Sequence, residues 1–165
     1  MARPRVGDKR KAILTAATAA IAEEGLSAST SKIAKRAGVA EGTLFTYFPT
    51  KDELLNQLFI EIKREVYQFI AEAFPHQRAA ETQASHYWTR YLDWAMANTQ
   101  KKRALEQLAV SDRIGSVVRE EAEMESLGCN DVMETHLANG VLKDVAPTFA
   151  IAIMTALAEA TMQFI

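Results

Sequence analysis

Cysteine is almost missing from this chain: Cys129 stands alone among 165 residues, so no internal disulfide can staple the fold. Proline and glycine are scarce too, at four and seven, which excludes collagen-like and low-complexity chains. The opening MARPRVGDKRK has basic residues with no apolar stretch behind them, so no export signal is expected and a cytoplasmic location is. The most apolar segment, from Ala146 to Ile165, is long enough to span a bilayer, but Pro147, its alanines and threonines, Gln163 and Glu159 make it a poor membrane helix. Nor is there an overall excess of charge. Nineteen Lys and Arg face 21 Asp and Glu, a net charge of −2. What is present is 48% apolar and 24% charged residues, close to the globular average, which is enough for a real core.

The balanced total hides an asymmetry. Residues 1–52 contain nine basic residues (Arg3, Arg5, Lys9, Arg10, Lys11, Lys32, Lys35, Arg36 and Lys51) against five acidic ones, leaving ten against sixteen in the remainder. A basic head on an acidic body suits a protein that meets a polyanion with one end, although short segments also drift by a few charges.

Apolar residues recur three and four apart nearly throughout, and no β-branched stretch alternates over strand length, so the expected fold class is all-α. A first helix is predicted over about 8–24, with Ile13, Leu14, Ala17, Ala20 and Ile21 as its stripe and Gly25 at its end. Two short helices follow, at about 31–37 and 40–47. A long helix is predicted from Thr50, with Thr50 as cap and Glu53 reaching back to the cap amide. Its stripe of Leu55, Leu58, Phe59, Ile62, Val66, Phe69, Ile70 and Ala73 should run until Pro75. Further helices are predicted at about 78–97, 101–111 and 115–139, the last of these kinked or split at Gly128, and a final one from Pro147.

The segment from Thr30 to Phe45 has helix-turn-helix spacing. Ile33, Ala34 and Ala37 give the first short helix an apolar side, Gly38 permits the positive φ of a tight turn, and Val39 plugs the joint. Steps of 100° per residue turn Leu44 and Phe48 inward on the second, leaving Gly42, Thr43 and Thr46 outward with Phe45 and Tyr47 beside them. Small hydroxyl residues between aromatics fit the floor of a major groove, where hydroxyls bond bases or phosphates. A short amphipathic helix with a small, polar outer side would look the same.

Ile13-Leu14 through Gly25, Thr30 to Val39, and Glu41-Gly42-Thr43-Leu44-Phe45 with Tyr47-Phe48 and Lys51 together resemble the DNA-binding head of the tetracycline-repressor (TetR) family. The likeness spans about residues 9–55 and the combination is specific. It implies an N-terminal three-helix head at 1–50, joined by the long helix to a helical ligand-binding and dimerisation domain at 51–165, in a homodimeric transcription regulator, usually a repressor. Carried over residue by residue, Thr30, Ser31, Tyr47 and Lys51 would meet phosphates of an operator duplex, and Glu41, Gly42, Thr43, Phe45 and Thr46 would approach base edges. Glu41 is repelled by DNA, so it must accept from a cytosine amino group, pair with a cation, or stabilise the helix start; the last two are favoured. Two positions depart from the pattern. Ala40 replaces a common capping serine, weakening that helix start by ~1 kcal/mol, and Phe45 replaces a common tyrosine. The arm carrying Arg3, Arg5, Lys9, Arg10 and Lys11 either adds phosphate or minor-groove contacts or is a solvated terminus.

The resemblance also implies a small-molecule effector. Phe69, Trp88, Tyr91 and Met133 are the candidate ligand-binding residues, drawn from a wider set of aromatics and methionines that suits a cavity or an ordinary core. Trp94 lies about 120° round the helix from Trp88, so the two are not expected to face one cavity. Small residues in the last helix suit packing against a second copy, and an apolar pattern reaching Ile165 without a stop signal suggests further C-terminal residues. No cofactor is implied. An enzyme is disfavoured: no histidine is preceded by Glu-x-x, and no HExxH, phosphate-cradling glycine loop or CxxC occurs. A DNA-bound helical protein without an effector is the nearer alternative.

Overall fold

In a computed structural model that describes residues 6–124 and 147–162, eight α-helices follow one another with no strand among the described residues. They are α1 (Val6–Glu24), α2 (Thr30–Arg36), α3 (Glu41–Tyr47), α4 (Lys51–Ala71), α5 (Ala80–Ala97), α6 (Thr99–Ala109), α7 (Ser116–Met124) and α8 (Pro147–Met162). A 3-10 turn, Gly25–Ser27, closes α1. The kink expected at Gly128 and the predicted helix beyond Met124 lie outside the described residues. No described helix is long and apolar enough to cross a membrane.

The chain forms two compact units, the first comprising residues to Lys63 with Asn98–Ala122, the second Arg64–Ala97 with the residues after Ala122. In the first, α1 buries more than the expected stripe. Ile13, Leu14, Ala17, Ala20 and Ile21 are buried, but so are Ala16, Thr18 and Ala19, because α2 packs on one side of the helix and α6 on another. Alanines allow both neighbours to approach, and Thr18 satisfies its hydroxyl by donating to the Leu14 carbonyl at 2.9 Å. Gly25 takes the left-handed conformation at φ 70°, which an L side chain adopts only with strain.

The second unit is built around Trp94, 1% exposed, whose indole N–H donates to Glu65 Oε1 at 3.1 Å. Ile70, Phe74 and Ala95 are buried as well, and α5 packs against α8. The long helix stops at Ala71, short of Pro75, and Ala73, expected on its buried stripe, is exposed at φ 56°. The reason is local. Phe74 turns back into the core, meeting His86 edge-on at 5.2 Å, while the buried Gln83 amide donates to the carbonyls of Pro75, His76 and Arg78. These contacts hold the corner and impose a left-handed residue where only an alanine is available.

An alanine in that conformation carries ~1–2 kcal/mol of strain, against a smaller entropic cost for glycine. Ala73→Gly should therefore stabilise the protein by about 0.5–1 kcal/mol, seen as a higher Tm in thermal unfolding. A lower Tm would show that the corner carries no such strain.

Candidate nucleic-acid interface

Ser29 caps α2, its hydroxyl accepting from the Lys32 amide at 3.2 Å, so Thr30, although it opens the helix, is free of capping duty. The turn between α2 and α3 is tight. Gly38 sits at φ 69°, and the amides of Ala37 and Val39 donate to the carbonyls of Ile33 and Ala34. Ala40 precedes α3 with no side-chain cap bond, as its methyl dictates. A helix of seven residues is not stable alone, so its orientation is decided by packing. Leu44 and Phe48 are 0% and 1% exposed, and the expected inward face is found.

Their burial turns the opposite face to solvent. Glu41, Gly42 and Thr46 are exposed, Phe45 is 40% exposed, and Thr43 and Tyr47 are half-buried at its margins. Thr46 donates its hydroxyl back to the Gly42 carbonyl at 3.0 Å, whereas the Thr43 amide donates to the Ala40 carbonyl and its hydroxyl makes no hydrogen bond among the described residues. The Thr43 hydroxyl is thus left available on α3, as is that of Tyr47. Glu41 takes no cation. Its Oε1 accepts the Thr30 hydroxyl at 2.7 Å, which brings together two expected site residues eleven positions apart. Of the two favoured roles, a cation pair is not seen among the described residues, where Lys32 reaches Glu24 at 2.7 Å and Arg36 grips both oxygens of Glu23, and Glu41 does open α3. Hydrogen bonds from Arg36 hold the Glu23 carboxyl below the usual carboxylate range.

Gly42 has no internal reason to be glycine. Its φ is not positive, and a Cβ built there meets nothing within 4 Å. The fold therefore has room for a side chain at this second position of α3, and glycine there leaves the backbone of the exposed face uncovered.

Ser31 and Lys51 belong to the flanking helices, α2 and α4. Ser31 is exposed. Lys51 is half-buried at the start of α4, with its ammonium donating to the Leu26 carbonyl at 2.7 Å. Burial, and then the nearby Arg113, push its pKa down, with Asp52 opposing. Arg113 in turn pairs with Asp52 at 2.9 Å. Thr50 caps α4 as expected, accepting from the Glu53 amide at 3.0 Å, but the Glu53 carboxylate accepts from Gln57 and leaves the reciprocal half of the capping box unmade. The basic arm is also revised. Arg3 and Arg5 lie outside the described residues, while Lys9, Arg10 and Lys11 are already helical, and Arg10 is committed to Glu61 at 2.5 Å, to Gln57 at 3.2 Å and to the Phe48 ring.

The effector candidates divide similarly. Trp88 and Tyr91 are half-buried on α5, whereas Trp94 is core. One face of Phe69 is covered by the Arg90 guanidinium at 3.7 Å, and Arg90 also donates to the Phe69 carbonyl and pairs with Glu72. Met133 lies outside the described residues. No group of three or more His, Cys, Asp or Glu that could hold a metal ion occurs among the described residues.

Residues 13–58 match the profile of bacterial regulatory proteins of the tetR family. Two Bacillus subtilis proteins are similar over part of the chain: the fatty acid metabolism regulator protein, 49% identical over 59 residues, and the HTH-type transcriptional regulator YhgD, 39% identical over 67 residues. The matches cover 35% and 40% of this chain, and the chain spans 29% and 35% of those relatives. Across almost the whole chain, the crystal structure of a tetR family transcription regulator from Shewanella sp. PV-4 superposes with a TM-score of 0.82 at 29% identity, covering 94% of this chain and 86% of that one.

Replacing Gly42 by alanine separates folding from binding. Gly42→Ala should raise the unfolding free energy by about 0.5–1 kcal/mol while weakening duplex binding in a mobility-shift titration. Undiminished affinity in a stabilised variant would show that nothing approaches this backbone.

Proposed function

We propose, from the matched head and the likeness to a tetR family regulator across almost the whole chain, that this protein is a TetR-family, sequence-specific DNA-binding transcriptional regulator, a ligand-responsive repressor acting in the cytoplasm as a homodimer. One observation carries this reading: the outer face of α3, with an unbonded Thr43 hydroxyl beside a Gly42 that the fold itself does not require. A surface of that kind admits base edges at short range. The family is one of regulators, and the role assigned here is binding without catalysis.

In this reading residues 1–50 engage DNA, and residues 51–165 bind the effector and the second copy. α3 lies in the major groove with Glu41, Gly42, Thr43, Phe45 and Thr46 toward the bases, while Thr30, Ser31, Tyr47 and Lys51 stand near the backbone. A dimer then presents two such helices to half-sites about one helical turn apart, or a multiple of that. The C-terminal helices supply the dimer contact, a role supported by Phe149, Ile153 and Leu157, which recur every fourth residue on α8 and are exposed. An apolar row of that spacing on a surface needs a partner. Trp88, Tyr91, Phe69 and Met133 are assigned to the effector, and a coupling of ~1–3 kcal/mol would suffice to release DNA.

The roles of two residues can be separated by binding measurements. Lys51→Ala should weaken binding to all duplexes alike and reduce the slope of log K against log salt by about one, whereas Thr43→Ala should change sequence preference and leave the slope unchanged. Equal effects of both substitutions on every duplex would refute the assignment. Because Lys51 also holds the Leu26 carbonyl, the salt slope, which a loss of stability does not move, is the deciding reading.

A further inference from the structure

Glu41 is a carboxylate on the face assigned to a polyanion, and nothing inside the head obliges it to be there. It is exposed, so packing does not hold it, and its one bond among the described residues is the one it accepts from Thr30. That bond has two consequences. A hydroxyl has one proton, so while Thr30 donates to Glu41 it cannot donate to a phosphate. The bond also ties the carboxylate to the neighbouring helix, α2, while Oε2 has no partner among the described residues.

An ionised carboxylate only accepts hydrogen bonds. Guanine shows two acceptors in the major groove, thymine one acceptor and a methyl group, and adenine a donor beside the N7 acceptor. Cytosine alone shows a lone donor, its N4 amino group. Guanine and thymine edges therefore add repulsion to that of the phosphates, adenine sets its N7 acceptor beside its donor, and cytosine offers its donor with no acceptor on the same base edge. We propose that Glu41 is a specificity-determining residue that selects cytosine at one position of each half-site, and that Thr30 is the positioning residue that orients its carboxylate. The inference rests on α3 occupying the major groove, and it reassigns Thr30 from the DNA backbone to the support of a base contact. A carboxylate that merely stabilises the first turn of α3 would have no such preference.

Selection of bound duplexes from a random pool, followed by titration of duplexes carrying each base at the selected positions, tests this with the full chain. The wild-type protein should favour cytosine at one position per half-site by about fivefold or more. Glu41→Gln should keep the remaining preferences but lose cytosine there and move toward adenine, whose N6 and N7 suit a glutamine amide. Thr30→Val should blunt the cytosine preference and Thr30→Ser, which keeps the hydroxyl, should restore it. If Glu41→Gln binds every duplex more tightly by one common factor with unchanged preferences, Glu41 contributes only repulsion and the inference is overturned. Uniform loss of affinity in Thr30→Val returns that hydroxyl to the phosphates and overturns the positioning role. A wild-type protein that ignores all duplexes even at low salt would instead remove the DNA-binding function itself.

Discussion

Burial of Leu44 and Phe48 is the constraint on which the interface depends. Seven residues cannot hold an α-helix in water, and α3 starts from two further disadvantages, an uncapped Ala40 and a glycine at its second position. Burying two large side chains supplies about 1.5–3 kcal/mol each, which outweighs both. Packing at these two points also fixes rotation: with Leu44 and Phe48 inward, Gly42, Thr43 and Thr46 have nowhere to point but out. Position 42, which weakens the helix, lies on the outer face, and positions 44 and 48, which hold it, lie on the inner one. Stability and recognition are thus assigned to different residues of a single turn and a half.

Charge in the head does two separable things. Arg10, Lys32 and Arg36 are paired with Glu61, Glu24 and Glu23, and these pairs join elements distant in sequence. Exposed pairs of this kind stabilise weakly and are screened by salt, so their value is geometric. Glu23 and Glu24 are already counted in the surplus of residues 1–52, whereas Glu61, beyond that segment, offsets one charge of it. The head still presents a net positive field that raises encounter rates with a polyanion. In the proposed reading, sequence preference comes from the uncharged groups of α3 and from Glu41, because α3 contains no Lys or Arg.

Periodicity and punctuation made much of this legible before any coordinates. The 100° step correctly parted Leu44 from Thr43 and Trp94 from Trp88, and Gly25 and Gly38 marked positive φ because only glycine adopts it without strain. What escaped were contacts between residues far apart in the chain. Gln83 holding three carbonyls of the corner that follows α4 is one such contact, made by an amide five to eight residues further on. α1 looked one-sided because alanine reads as neutral in a stripe, and only the arrival of α6 explains why Ala16 and Ala19 are covered. The Thr30–Glu41 bond was invisible for the same reason. Each residue had a plausible role alone, and their meeting is a property of the turn that folds α3 against α2.

Lys51 shows how far such remote contacts reach into function. Counted along the chain, it stands at the boundary between a head and a larger helical region. In space, its ammonium rests on the Leu26 carbonyl after α1, and its neighbour Asp52 is held by Arg113 from the turn after α6. Desolvation and Arg113 weaken its hold on a proton, and Asp52 restores part of it. If Arg113 withdrew, Asp52 would lose its guanidinium and act on the lysine unopposed. The charge environment of a residue proposed to face phosphates is therefore set by a side chain sixty-two positions away, within one compact unit that contains residues to Lys63 and Asn98–Ala122 together. A division drawn at residue 50 follows the recognition motif, whereas the physical unit that orients the motif includes α6 and the turn behind it.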